Sequence, residues 1–471
     1  MSSQLIQPEA RPRLLFQSLV KDLEKDLNHF DPGVRGVALG KLLSLRIPFE
    51  TVRDAVNLHT HTFFSYHADG WSPCRYAWEA RKAGFFAAGI IDFDGVDGVW
   101  EFLSAAEALG LRATAGVEVR GFLPQFSDAE IDSPGEPGVH YMAGSGFVKR
   151  PAAGSPQEAF LLRLRFISEK RSRELVERIN ACLPDIAIDW RAVIDERTPA
   201  GYGSERHFVA AYIEQARRRF PNQPRCAEFW GETLKLSKAA ALVQMQDPIG
   251  FAEKVRARLM KRGGLGYTQP GPESFPPAGE VYGWMRDCGA VPMDSWLDGT
   301  SQGEARGREL LECNRNLGAR GLNLIPDRNW NLADPEEKRR KLDNLARIVA
   351  LASSWHMPLH IGTEGNRHGL PFVDNLDGPE LAPFKGRFLE GARVLIGHAL
   401  LARFGEFPYA GAASDAEFAG NGRARNAFFA SVGDLAPLDA AAARSLTEMG
   451  PVAALETMRR SGRSGTWTGL E

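Results

Sequence analysis

The stretch FFAAGIIDFDGVDGVWEFLSAAEALGLRATAGVEV, residues 85–119, decides the fold class because it contains one complete strand–helix–strand unit. Residues 85–91 form an apolar run of strand length that ends at an aspartate. A helical stretch over residues 100–109 follows and stops at Gly110, a residue that favours helix ends. Residues 113–119 then form a second strand-like run. This order predicts a βαβ unit with parallel strands.

The same alternation continues on both sides of this unit. Residues 52–58 predict an earlier strand, and residues 77–83 predict the helix that follows it. After a long interruption, helices and strands alternate again at residues 281–287, 289–293, 306–316, 322–325, 335–354 and 358–362. The whole series predicts a parallel sheet or a barrel with helices outside it.

The interruption and the two ends of the chain lack the alternation of strands and helices and are mostly helical in pattern. Leucines recur at helical spacing within residues 13–50, and the chain after Lys149 is helical and rich in arginine up to a Gly- and Pro-rich segment at 264–280. We therefore predict five segments: a helical extension 1–50, a first barrel part 51–150, a helical insertion lobe 151–280, a second barrel part 281–400 and a helical extension 401–471.

The composition argues against several classes of protein. The formal net charge is −2, without the basic excess typical of proteins that bind a nucleic-acid polymer. The five cysteines form no CxxC pair, which argues against a disulfide framework or a zinc knuckle. No apolar run approaches the ~20 residues of a membrane span. The first residues also lack the apolar core of a secretory signal. We therefore expect a cytoplasmic protein that binds neither a membrane nor a nucleic-acid polymer.

The segment NLHTHTFFSYHADG, residues 57–70, carries the clearest chemical signal. His59 and His61 close a predicted strand with one residue between them, so both side chains face the same way. The carboxyl ends of parallel strands are where barrel active sites are built, and two adjacent imidazoles suit a shared metal ion. A pair of polar histidines at a strand end is the alternative. His67 follows six residues later and strengthens the metal interpretation.

Further ligand types follow the next predicted strands. Asp92 and Asp94 come after the apolar run FFAAGII, Glu118 ends the following strand, and His140 lies in VHYMAGSGF. Carboxylates and imidazoles that converge on one barrel mouth would repel one another or stay unpaired unless cations held them. The sequence therefore predicts a metal cluster at this mouth.

The order of HxH, an acidic strand end, GxE and HxxxGxGF resembles the polymerase and histidinol phosphatase (PHP) superfamily over residues 54–370. The resemblance implies an α/β fold: a distorted seven-stranded (β/α) barrel with a helical insertion lobe and helical N- and C-terminal extensions. It also implies a metal-dependent phosphoesterase. The helical insertion, with its segment RHFVAAYIEQARRR, is similar to the nucleotide-phosphatase-like branch.

The resemblance implies three metal positions. The first would use His59, His61, Glu118 and Glu364; the second Glu118, His140 and Asp294; the third His67, Asp94 and Asn366. Phe93 and Asn366 stand where the family has metal-binding histidines, which weakens the third position. Asp294 likewise replaces a family histidine, and Glu364 replaces an aspartate. We expect two or three divalent ions of Mn, Fe or Zn, with two as the main expectation.

The implied activity is hydrolysis of a small phosphomonoester or nucleotide by a metal-activated water. His67 and Asp294 are alternative general acids. The candidates for phosphate recognition are basic side chains near the predicted mouth: Arg206, His207, Arg367 and His368, with Arg171 and Arg173 in the insertion. Arg206 opens a helix that is predicted to cap the barrel. A solvated surface role is the alternative for each of them.

Two other functions stay open. One is a non-catalytic ligand-binding protein whose metal site has decayed, which Phe93 and Asn366 favour. The other is a metal-dependent hydrolase of a non-phosphate substrate. The terminal extensions either pack on the barrel or form the interface of a homo-oligomer. We expect His356, His360 and His398 to serve packing rather than chemistry.

Overall fold

The computed structural model describes residues 10–270 and 274–470. Seven strands close into one barrel in chain order, which confirms the predicted fold class. The strands are β1 (Arg53–Thr60), β2 (Phe85–Phe93), β3 (Arg112–Phe122), β4 (Val139–Ser145), β5 (Val291–Trp296), β6 (Gly321–Leu324) and β7 (Leu359–Glu364). Pairing of β1 with β7 at His59 and Gly362 closes the barrel.

The parallel strand order that the alternation of strands and helices indicates does not extend to β4. This strand runs antiparallel to both β3 and β5, whereas the other pairs are parallel. The physical reason is the connection between β3 and β4, residues 123–138, which contains a single 3₁₀ turn and no crossover helix. A parallel connection needs such a crossover, while an antiparallel one does not. The reversal places the first residues of β4, including His140, at the mouth where its neighbours end.

Helices surround the barrel and alternate with its parallel strands. They are α3 (Pro73–Lys82), α4 (Val99–Leu109), α11 (Ala278–Asp287), α12 (Gly307–Leu317), the short α13 (Asp327–Trp330) and α14 (Pro335–Ser354). The helix α4 ends at Gly110, whose φ of 61° is the left-handed conformation expected of a helix C-terminus.

A group of helices interrupts the barrel between β4 and α11. They are α5 (Pro156–Cys182), α6 (Trp190–Arg197), α7 (Glu205–Arg219), α8 (Gln223–Leu234), α9 (Lys238–Gln244) and α10 (Pro248–Met260). Their apolar side chains form a cluster of their own around Trp230, Phe208 and Phe251, separate from the two clusters of the barrel and its flanking helices. Part of the Gly- and Pro-rich segment predicted at 264–280, residues 271–273, lies outside the described residues.

Helices also flank the barrel at both ends of the chain. The predicted helical region 13–50 divides into α1 (Ala10–Asp26) and α2 (Pro32–Ser44), because Asp31 caps a new helix that begins at Pro32. Residues 1–9 of the predicted extension lie outside the described residues. The C-terminal helices are α15 (Lys385–Gly405), α16 (Ala412–Phe418), α17 (Gly422–Gly433) and α18 (Ala440–Ser464). Within the described ranges, we find no helix with the length and apolarity that crossing a membrane requires.

Candidate metal centre

Two histidines of β1 and one glutamate of β3 meet at the barrel mouth. His59 and His61 are fully buried, and their rings lie 5.3 Å apart between centroids. Their Nε2 atoms lie 3.8 and 3.5 Å from Oε2 of Glu118. Within residues 10–270 and 274–470, this is the one group of three or more His, Cys, Asp or Glu side chains whose ligand atoms all lie within 4.8 Å of one another.

Hydrogen bonds on the far side of each ring fix which nitrogen carries the proton. His59 Nδ1 lies 3.0 Å from the side-chain oxygen of Asn323, which can only accept, so Nδ1 donates. His61 Nδ1 lies 3.1 Å from the Ser65 hydroxyl, and that hydroxyl donates in turn to Asp92. Both rings therefore present an unprotonated Nε2 to Glu118.

This arrangement fits a divalent cation. Among the described residues, neither Nε2 has a hydrogen-bond partner, although both are buried. Burial lowers the pKa of both His59 and His61 despite the nearby Glu364 carboxylate, so the rings are neutral. Burial and the nearby Glu364 raise the pKa of Glu118 well above its ordinary value. Two bare imidazole lone pairs aimed at a buried carboxylate are costly unless a cation lies between them, and His–His–Glu is a familiar donor set for one.

Glu364, predicted as a fourth ligand of this position, is bound to an arginine. Nη2 of Arg328 lies 3.0 and 3.1 Å from the two carboxylate oxygens of Glu364. Burial alone would raise the pKa of Glu364, but the Arg328 guanidinium lowers it to about 2. The backbone oxygen of Glu364 accepts a hydrogen bond of 2.8 Å from the His61 backbone, so this residue is fixed beside the histidines.

The structure does not bring the predicted second position together. His140 and Asp294 are both buried, and they pair with each other at 2.8 Å rather than facing Glu118. Asp132 lies 3.0 Å from the other ring nitrogen of His140. Burial opposes a charge on this ring, but the two aspartates raise the pKa of His140 to about 10. Asp294 faces Nε2 of His140 and Asp132 faces its Nδ1, so both ring nitrogens are engaged by carboxylates, which is the physical reason for the difference.

Two of the residues predicted for the third position, His67 and Asp94, have other contacts. The His67 ring stacks on Trp71 at 4.8 Å, and its Nδ1 accepts a hydrogen bond from the backbone of Asp69. Asp94 lies 3.7 Å from Arg171. Phe93 stacks on His61 with 4.2 Å between ring centroids, so an apolar ring occupies the space beside that ligand. Asn366 lies at the edge of the adjoining cavity.

A cavity of about 410 Å³ adjoins the histidines and extends to helices α5, α7 and α10. Glu118 and Glu364 line it, while the buried His59 and His61 are not among its lining residues. Its charged lining balances at seven basic and seven acidic side chains: Arg120, Arg171, Arg178, Arg206, Arg256, Lys261 and Arg328, with Asp94, Glu118, Asp132, Glu136, Glu174, Glu205 and Glu364.

The predicted phosphate-binding residues divide into two groups. Arg171 and Arg206 line the cavity, and Arg206 is paired with Glu253 at 2.5 Å. His207 is buried and instead caps α7, where its Nδ1 accepts a hydrogen bond from the backbone of Ser204. The remaining three lie outside the cavity lining: Arg173, which binds Glu169, and the exposed Arg367 and His368.

Sequence reasoning missed several residues that complete the site. Asn323 orients His59, Ser65 orients His61, and Arg328 binds Glu364. Asn323 lies within the predicted strand at 322–325 and Arg328 shortly after it, and a polar residue inside or just after an apolar strand was the available signal for them. His360, expected to serve packing, also binds Asn323, at 2.8 Å. His398 is a satisfied core residue as predicted, with Gly146 and Tyr409 as its hydrogen-bond partners.

Comparison with known proteins gives matches among solved structures, two of which are described here. No family model and no curated protein matches the chain. One solved structure, an amidohydrolase from Chromobacterium violaceum with bound sulfate and no metal, has a TM-score of 0.47 and 16% identity, over 69% of this chain and 93% of that one. Another, a "putative metal-dependent phosphoesterase" from Bifidobacterium adolescentis, has a TM-score of 0.43 and 20% identity, over 72% of this chain and 98% of that one.

Proposed function

We propose that this protein is a metal-dependent phosphoesterase of PHP type that acts on a small phosphomonoester or nucleotide. The observation that carries the proposal is the pair of unpartnered Nε2 atoms of His59 and His61 facing Glu118 behind an arginine-lined cavity. A divalent cation held by these three residues would supply an activated water and polarise a phosphoryl oxygen. Two imidazoles and one carboxylate suit Zn, Fe or Mn, which are the ions we propose.

Neighbouring residues orient the proposed metal ligands through hydrogen bonds. Asn323 and the Ser65–Asp92 pair hold the two imidazoles with their lone pairs towards Glu118. Such outer hydrogen bonds also raise the basicity of a metal-binding imidazole. Asp294 is engaged by His140, and burial lowers the pKa of His67 to about 4, so His67 would act as a general acid only at acidic pH.

The charges around the cavity favour a phosphate over a neutral substrate. The basic and acidic side chains of the lining balance, so a divalent cation gives the cavity a net positive charge that matches a phosphate dianion. Arginine also offers a planar fork of N–H groups that matches phosphate oxygens in pairs. The six arginines of the lining come from five elements, among them Arg120 of β3, Arg171 of α5 and Arg328 of α13.

The test is phosphate release from a panel of nucleotides and sugar phosphates by the full chain reconstituted with Mn²⁺, Fe²⁺ or Zn²⁺. We expect turnover with at least one ion, and a loss of at least 100-fold in the His59→Ala and His61→Ala variants. His29→Ala is the matched control, because His29 is an exposed histidine outside the site. Metal content per chain is measured on the same samples.

Three results would contradict the proposal in different ways. Bound metal with hydrolysis of esters or amides but not of phosphates would replace it with a hydrolase of another substrate class. Bound metal without any turnover would favour a binding protein. Less than half an equivalent of metal, not restored by added ion, would indicate a decayed site.

A further inference from the structure

The described residues provide one group of ligands for a single ion. The side chains predicted to bind further ions are bound to other residues or covered. His140 and Asp294 are paired with each other, and Phe93 covers the face of His61. Hydrolysis of a phosphoester nonetheless benefits from more than one positive charge, because negative charge spreads over several phosphoryl oxygens in the transition state.

Arg328 lies where it can supply that charge. It belongs to α13, directly after β6, and its side chain is 43% exposed and lines the cavity. Both contacts with Glu364 use Nη2, so Nε and Nη1 have no acceptor among the described residues. Glu364 is itself tied to His61 through the backbone. The guanidinium is thus bound to Glu364, which is hydrogen-bonded to His61, and it keeps donors without an acceptor among the described residues.

We propose that this centre binds a single divalent cation on His59, His61 and Glu118, and that Arg328, held by Glu364, is the second positive group that binds the phosphoryl oxygens. This proposal rests on the proposed function and adds the number of ions and an anion-binding residue to it. Glu364 is then a positioning residue for Arg328 rather than a metal ligand.

The number of ions is measured first, by equilibrium dialysis of the full chain against Mn²⁺ followed by elemental analysis. We expect one equivalent in the unmodified protein and in Arg328→Met. Two equivalents in the unmodified protein would overturn the proposal. Two equivalents in Arg328→Met alone would also overturn it, because Arg328 would then serve to block a second ion.

Binding of inorganic phosphate to the Mn²⁺-loaded protein is measured next, by isothermal titration calorimetry. We expect Arg328→Met to raise the phosphate Kd at least tenfold and Arg328→Lys to restore part of the affinity. Arg340→Met, an exposed arginine of α14, is the matched control and leaves the Kd unchanged. Far-UV circular dichroism verifies that each variant is folded. An unchanged Kd in Arg328→Met would overturn the proposal.

Neither readout depends on turnover, so the two proposals fail separately. Phosphate release by a protein with two equivalents of metal would keep the proposed function and remove this inference. One equivalent with Arg328-dependent phosphate binding would support the inference even if no tested substrate is hydrolysed.

Discussion

The two imidazoles of the centre are oriented by hydrogen bonds on the side of each ring away from Glu118. For His61 the partner is Ser65, whose hydroxyl also donates to the buried Asp92 at 2.6 Å. Ser65→Ala removes the acceptor that keeps the proton on Nδ1, so Nε2 no longer presents its lone pair in a fixed direction. We expect the Kd for Mn²⁺ or Zn²⁺ to rise about 10–100-fold, as for other outer-shell partners of metal ligands.

A competition titration against a chelator measures that change. Ser354→Ala is a suitable control, because Ser354 is an exposed serine at the end of α14. Equal metal affinities in Ser65→Ala and the unmodified chain, with both folded, would show that His61 is not oriented through this hydroxyl.

Single residues of the site were predictable where they follow a local pattern. The HxH spacing at His59 and His61 and the strand-end Glu118 pointed to the same barrel mouth, and the structure groups these three. The family resemblance placed His140 and Asp294 in one site, but nothing in the sequence predicted that they pair with each other or that Asp132 joins them from the loop before β4. Only the closed barrel determines that these side chains meet.

Close backbone contact limits which residues the barrel strands accept. A Cβ atom on Gly116 of β3 would lie 1.9 Å from the backbone oxygen of Gly144 on β4. Gly116→Ala must therefore displace one strand of an antiparallel pair, and we expect it to lower the free energy of unfolding by about 1–3 kcal/mol. Urea denaturation followed by circular dichroism measures this. Gly283→Ala in α11 is the control, because within the described part of the chain no atom lies within 4 Å of the added Cβ. Equal stability of the two variants would contradict the predicted clash.

The helices of the insertion are joined by a charge cluster whose effect depends on pH. Glu205 of α7 lies 2.9 Å from both Arg256 of α10 and Lys261. Burial would raise the pKa of Glu205, but these cations lower it from 4.5 to about 2. A carboxyl group with a lowered pKa stabilises the fold fully above its unfolded value, and that contribution disappears as the pH falls through the folded value.

Glu205→Gln therefore lowers the free energy of unfolding at pH 7 by roughly 1–3 kcal/mol. This cost lies between the cost of breaking an exposed ion pair and that of breaking a buried one. The difference from the unmodified chain shrinks between pH 4.5 and about 2. Glu448→Gln, on the exposed face of α18, is the matched control. Denaturation curves at pH 7, 4 and 3 test this, and a difference that does not change with pH would contradict it.

At the level of elements, the sequence pattern predicted where strands and helices lie. It did not predict the direction in which each strand runs. Alternating strands and helices gave the barrel, but periodicity does not say which way a strand runs. The direction of β4 is determined by the loop before it, whose Pro124, Pro134 and Pro137 prevent a crossover helix. The density of prolines in that loop was the signal that could have predicted an antiparallel pair.

At the scale of the whole molecule, the metal centre lies on the barrel, whereas the inserted helices pack around a separate hydrophobic core. His59, His61 and Glu118 lie on barrel strands, whereas α7, α8 and α10 contribute to the separate apolar cluster around Trp230. A ligand stabilises the parts of a protein whose unfolding releases it, by about 2.7 kcal/mol at a concentration 100 times its Kd. If the lobe opens independently of the barrel, the bound metal does not contribute to its stability.

Hydrogen exchange with and without saturating Mn²⁺ tests this separation on the intact chain. We expect slower exchange in β1 and β3 when metal is present, and no change in α8 and α9, because those helices contain no residue of the centre. The His59→Ala/His61→Ala double variant is the control and responds to Mn²⁺ in neither region. Equal protection of the barrel and the inserted helices would contradict the prediction: the chain would then unfold as one cooperative unit, and the predicted boundaries at 151 and 280 would not separate independent folding units.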